Sequence, residues 1–230
     1  MGAPVAGAAA RALEGLSRLR GKRVFHPYGV GFNARLEPCG EPAFDAPMLN
    51  QETETIVRLS RALGLPEWAP DPCGLGLRIP DAYGQGRHQD ILMVSSATAV
   101  LARHAPLPAR GFSDRPYSTL LPYELKGQLI VIGARESTRS GRGPKLAELR
   151  EHELDLEFDL GVATLRGGWK PVARLSLQGR LPRATTERLD LDPTNTGGGL
   201  RLAGWINRLR GPSYRGSQAG RAAARAKSHG

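Results

Sequence analysis

Glu153-Leu-Asp-Leu-Glu-Phe-Asp-Leu-Gly-Val-Ala-Thr-Leu165 is the stretch on which the fold turns. Leu154, Leu156, Phe158, Leu160 and Val162 alternate with Glu153, Asp155, Glu157, Asp159 and Gly161. A period of two puts all the large apolar groups on one side of a strand and the acids on the other, the pattern of a sheet with one face buried. Gly167 and Gly168 then mark a hairpin turn into a second strand over Trp169–Leu181.

Outward from this hairpin the chain repeats the same kind of signal. Gln128–Ala134 reads as a strand, as do Thr53–Ser60, Gly74–Ile79 and Asp90–Ser96, the last running into a short helix near His104. Val30, Phe32, Ala34 and Leu36 alternate with smaller or polar residues along another. The 29 glycines and 18 prolines favour many short strands and turns over a helix bundle. Seven or so strands with short connections predict a closed or nearly closed antiparallel barrel. Helices flank it. Leu13, Leu16 and Leu19 give residues 1–22 an amphipathic N-terminal helix, and Leu202, Trp205, Ile206 and Leu209 give another after the turn-rich Asp192–Gly199. The fold class is therefore β-rich α+β, with one barrel domain over residues 23–218 and a basic, disordered tail over 219–230. Ser137–Pro144 is a basic loop.

The net charge of +10 allows anionic partners. Much of the excess sits near the end, where Arg208, Arg210, Arg215, Arg221, Arg225 and Lys227 follow the last acid, Asp192. A solvated tail accounts for that better than a nucleic-acid reader does, so nucleic acid is not an expected partner. Two cysteines, Cys39 and Cys73, are too few for a disulfide framework and read as free thiols in a reducing compartment. The longest uncharged apolar run, Ile91–Ala102, is too short to span a bilayer. A cytoplasmic location without a membrane span is the expectation.

Three segments could carry chemistry. Arg23-Val-Phe-His26 precedes a strand bearing Gly29, Gly31 and Glu37, which sets a histidine at the mouth or wall of a barrel. In Val57-Arg58-Leu59-Ser60 the Arg and Ser point to one face and the two apolar residues to the other. On an inward face they would need an anion and a histidine nitrogen as partners; the other reading has Arg58 in solvent. Third, Arg210-Gly-Pro-Ser-Tyr214 would place a cation beside a phenol at i, i+4 spacing, favouring the phenolate.

In this order the pieces resemble the catalase family. Arg23-Val-Phe-His26 through Glu37 is similar to its distal-histidine segment, and Val57-Arg58-Leu59-Ser60 to its Val-Arg-Phe-Ser. Asp71-Pro72-Cys73-Gly74 with Arg78 resembles its Asp-Pro-Arg-Gly strand, and Asp90-Ile91-Leu92 its Asp-Leu-Val. Asp192-Pro193 through Arg210 and Tyr214 looks like the approach to the proximal helix. The resemblance runs from about Arg23 to Arg103 and from about Asp192 to Gln218. It implies a short, mini-catalase-like member with a catalase-type barrel and haem b as cofactor. Tyr214 would ligate the iron as tyrosinate with Arg210 stabilising it. Arg58, with Arg23, would pair with propionates. His26 would relay a proton, with Ser60 fixing its tautomer. Phe32 and Leu77 are haem contacts or core.

The family's distal Asn is missing. The corresponding stretch is Val94-Ser95-Ser96, where Ser95 could donate one hydrogen bond but not replace an amide. The resemblance thus implies a haem peroxidase or catalase-related oxidoreductase, with hydrogen peroxide or an organic hydroperoxide and a small-molecule reductant as its partners. The alternative is a catalase-fold protein without efficient haem chemistry, acting as a ligand-binding or structural module. Assembly into a homo-oligomer is left open.

Overall fold

The computed structural model describes residues 26–39, 46–137 and 143–203. The expected N-terminal helix over 1–22, Arg23, Arg210, Tyr214 and the tail over 219–230 lie outside the described residues. Within them the chain forms β1 (Tyr28–Pro38), β2 (Thr53–Arg61), β3 (Cys73–Ile79), β4 (Gln89–Ser95) and β5 (Tyr117–Ser118). It continues through β6 (Tyr123–Leu125), β7 (Gln128–Glu136), β8 (Glu157–Thr164), β9 (Lys170–Arg180) and β10 (Leu200–Leu202). Hydrogen bonding runs β7-β5-β4-β3-β2-β1-β9-β8 and returns from β8 to β7, closing an eight-stranded barrel. Every pairing in it is antiparallel. Strand β6 pairs with β7 beyond β5, and β10 adds to β6.

Alternation decides what fills the barrel. Val30, Phe32, Ala34 and Leu36 of β1, Val57 and Leu59 of β2, and Leu75 and Leu77 of β3 point inward and are buried. They meet Ile91 and Met93 of β4, Ile130 and Ile132 of β7 and Phe158, Leu160 and Val162 of β8 in one continuous core. Phe32 and Leu77 are thereby core. Tyr117 packs edge-on against Phe158 with ring centroids 6.0 Å apart, and its hydroxyl donates to the Phe112 carbonyl.

The hairpin from Glu153 exists but begins later than the alternation implies. Helix α1 (Leu146–Glu151) buries Leu146 and Leu149 instead. Its first turn is capped by carboxylates, Glu148 accepting from Lys145 N–H and Glu67 from Ala147 N–H. Residues 152–156 then lead into β8, whose pairing with β7 ends at Phe158 opposite Glu136. In β9 the register shifts between Leu160 and Gly161 of its partner, so Pro171 sits at a bulge, where the ladder can spare a donor.

Helix content is smaller than expected among the described residues: α1, α2 (Arg183–Arg188) and two 3-10 turns, one of them Ala102–His104. Leu200–Leu202, read as the start of a helix, is a strand instead, because Leu200 and Leu202 pair with Leu125 and Tyr123. Trp205, Ile206 and Leu209 fall outside the described residues. Both cysteines are free, Cys73 buried and Cys39 half-buried. Among the described residues no helix is long and apolar enough to cross a membrane.

Candidate functional site

The outer face of the same strands is built differently. Gly29, Ser60 and Gly74 lie side by side across β1, β2 and β3, and Gly31, Arg58 and Gly76 form the next row. Ser60 and Arg58 are therefore each flanked by two glycines. Sequence reading left open whether these two side chains face inward or solvent, and neither applies. They stand on the outside of the barrel yet are only 3% and 6% exposed, because a second layer covers them.

Part of that layer is His26. Its backbone has φ of +56°, a left-handed conformation that costs a non-glycine residue energy, and Pro27 follows it. Hydrogen bonds to β2 and to the residue that follows it hold it there. His26 N–H donates to the Ala62 carbonyl at 2.8 Å. Arg58 Nη2 donates to the His26 carbonyl at 3.0 Å, and the ring Nδ1 meets Ser60 Oγ at 2.9 Å. Ser60 also donates to the Gly74 carbonyl at 3.5 Å. The hydroxyl thus lies between the imidazole and the Gly74 carbonyl and fixes the orientation of the ring. Backbone strain of this kind persists only where the surroundings over-determine it, and it collects at sites that work.

The glycines make room. A Cβ on Gly74 would stand 2.4 Å from His26 Cε1 and 2.5 Å from Nδ1, and one on Gly29 would stand 2.7 Å from Arg58 Cζ. The lower row is closed by a strap running from the end of β9 through α2. Leu181 and Thr186 lie over Gly31, and Leu191 over Gly76. Leu181 N–H donates to the Gly31 carbonyl, and Gly31 N–H to Thr186 Oγ1.

A buried carboxylate ties the strap down. Asp90, paired with Arg78 on this same outer face, accepts from Arg78 Nε at 2.7 Å and Nη2 at 2.6 Å. It also accepts from Asp192 N–H at 2.9 Å and Asn195 Nδ2 at 2.8 Å. The hydrogen bond to Asp90 holds the Arg78 guanidinium charged above its ordinary range, against the opposing cost of burial.

Ser95 stands apart from this group. It follows Met93 on the inward side of β4, accepts from Cys73 N–H at 2.9 Å and donates to the Leu107 carbonyl at 2.6 Å. Its hydroxyl is committed to the main chain, one residue out of phase with the site. Val94 is the residue that pairs with Gly74 on the outer face, and it is half-exposed there, as is Leu92 beside Gly76.

The structure thus brings His26, Arg58 and Ser60 together, turns Ser95 away, and leaves Arg23, Arg210 and Tyr214 outside the described residues. Sequence reading missed Gly74, Gly76 and the Asp90–Asn195 contact. The visible signal was Gly29-x-Gly31 and Gly74-x-Gly76 on either side of Arg58-x-Ser60. Among the described residues no group of three or more His, Cys, Asp or Glu could hold a metal ion. No protein-family model matches the chain, and no curated protein matches it.

Proposed function

We propose that this barrel is of the catalase type and that the protein is a haem-dependent oxidoreductase reacting with hydrogen peroxide or an organic hydroperoxide. The observation that carries the reading is His26, strained at φ +56° and held by Ser60, Arg58 and the Ala62 carbonyl on the outer wall. A histidine needed only for packing would not require a buried guanidinium under its carbonyl.

The residues present suit a flat, largely apolar group with anionic substituents. Val94 and Leu92 offer half-buried apolar surface beside the row of Gly74 and Gly76, and Arg58, under the His26 carbonyl, is the nearby cation. Tyr214, with Arg210, would hold haem b. Haem, when bound, would supply the two electrons that cleavage of the O–O bond takes up, and a small-molecule reductant would restore them. The chain's own part is proton handling: His26 Nε2 takes a proton from the near peroxide oxygen and returns it to the far one. Ser60 fixes the tautomer that makes Nε2 the base, and Arg58 fixes the backbone that aims it. Val94 provides no hydrogen bond to a second oxygen, which favours peroxidase turnover with a small reductant over rapid dismutation.

The chain expressed with a haem precursor should show a ferric, tyrosinate-type Soret band that Tyr214→Phe loses. His26→Ala should keep the haem and slow the reaction with peroxide by about 10²- to 10⁴-fold, the usual contribution of a positioned acid–base group. Folded, colourless protein under these conditions would sink the proposal and leave the ligand-binding or structural module as the reading.

A further inference from the structure

We propose that Gly74 is a positioning residue of this site, its missing side chain being the seat into which the His26 imidazole is pressed. The inference rests on the reading of His26 as the working group, but not on any bound cofactor. Three observations converge on it. A Cβ at Gly74 would come within 2.4–2.5 Å of two ring atoms of His26 and 2.9 Å of Ser60 Oγ, distances that real Cβ atoms do not show. Gly74 lies directly beside Ser60 in the ladder, so a side chain here would intrude between the ring and the hydroxyl that orients it. The backbone of Gly74 gives no reason of its own for glycine, since it is not among the glycines with positive φ. It is an ordinary strand residue, where glycine costs stability relative to a residue that packs. What glycine provides here is space, and the ring is what fills it.

The neighbouring Gly76 supplies the control. It is on the same strand and the same face, and is equally buried, but a Cβ there would meet Leu191 Cδ1 at 2.3 Å rather than the histidine. Both substitutions should therefore disturb the outer layer, and only one should release the ring.

The test is the rate at which diethyl pyrocarbonate modifies His26 in the full-length chain without cofactor, followed by peptide mass mapping. Gly74→Ala should raise that rate several-fold by pushing the imidazole outward, while Gly76→Ala leaves it at the wild-type value despite its own loss in Tm. An unchanged rate in Gly74→Ala, or an equal rise in Gly76→Ala, overturns the proposal. A thermal cycle covers the case in which Gly74→Ala does not fold. In a His26→Ala background the space is vacant, so adding Gly74→Ala should cost much less Tm than it does in wild type, and that double variant should fold. An equal loss, or a double variant that fails to fold, overturns the proposal as well. Neither readout depends on haem, so the haem reading can fail while the seat stands, and the seat can fail while haem binds.

Discussion

Strands β1, β2 and β3 have two buried faces made of different materials. On the inside, Val30, Phe32, Val57, Leu59, Leu75 and Leu77 interlock, and each could be exchanged for another apolar residue of similar volume at modest cost. On the outside, the rows read Gly29–Ser60–Gly74 and Gly31–Arg58–Gly76. A barrel that needed only a cover there would use aliphatic side chains on both surfaces. Instead, small residues clear space, two polar side chains fill part of it, and a strained histidine rests on top. The inner face stabilises; the outer face arranges. The contrast puts His26, Arg58 and Ser60 on the outer wall, apart from the apolar core.

The sharpest way to break this contrast is to cut the knot that holds the outer layer on. Asp90→Ala leaves the Arg78 guanidinium without its carboxylate and removes the acceptor of Asp192 N–H and of the Asn195 side-chain amide together. Removing one member of a buried pair typically costs about 3–5 kcal/mol. Chemical denaturation should show that loss, and limited proteolysis should cut within 181–199 earlier than in wild type. Equal protection of the strap would mean that Leu181, Thr186 and Leu191 alone secure it.

A second comparison sets the faces directly against each other on neighbouring strands. Leu77→Ala, at an inner position with no exposure, should cost about 2–5 kcal/mol through lost burial and a residual cavity, yet leave the chemistry of His26 unaltered. Ser60→Ala, outside, should cost only about 1 kcal/mol but change the Nδ1 signal of His26 in nitrogen NMR spectra. If Leu77→Ala moved the histidine signal as much as Ser60→Ala, the two faces would be coupled rather than separate.

How much of this was legible depended on what alternation can report. The strands and the barrel followed from apolar residues at every second position, and the hairpin from Gly167-Gly168. The late start of β8 did not, because Leu154 and Leu156 continue the alternation outside the strand while α1 caps itself with Glu148 and Glu67, one of them distant in sequence. Alternation separated Arg58 and Ser60 from Val57 and Leu59 but could not say that both faces are covered, since the covering strap lies over a hundred residues away. It also bears on Ser95: a shift of one position exchanges inside for outside, and Val94, not Ser95, shares the face of Gly74. The resemblance pointed to His26, Arg58 and Ser60 as a group. The Gly74-x-Gly76 spacing was visible, but a glycine's role as empty space shows only once the ring is next to it.

An effect absent at neutral pH concerns Cys73, which precedes Gly74 and points the other way, into the barrel. Burial pushes its thiol up to about 12, from an ordinary value near 9. Between those values the folded protein keeps the proton and the unfolded chain loses it. Stability is then undiminished below about pH 9 and falls as pH rises toward 12, by at most about 1.4 kcal/mol per pH unit. Tyr83 and Tyr117 are shifted upward by burial too, so the slope of the wild type alone is not diagnostic. The difference between wild type and Cys73→Ala isolates it: the two stabilities should run parallel from pH 6 to 8 and converge in shape only if the thiol is not buried. A divergence confined to alkaline pH, with His26 reactivity toward diethyl pyrocarbonate unchanged at neutral pH, would show that adjacent residues of one strand serve separate ends. Cys73 would then belong to the core and Gly74 to the site, though a single peptide bond joins them.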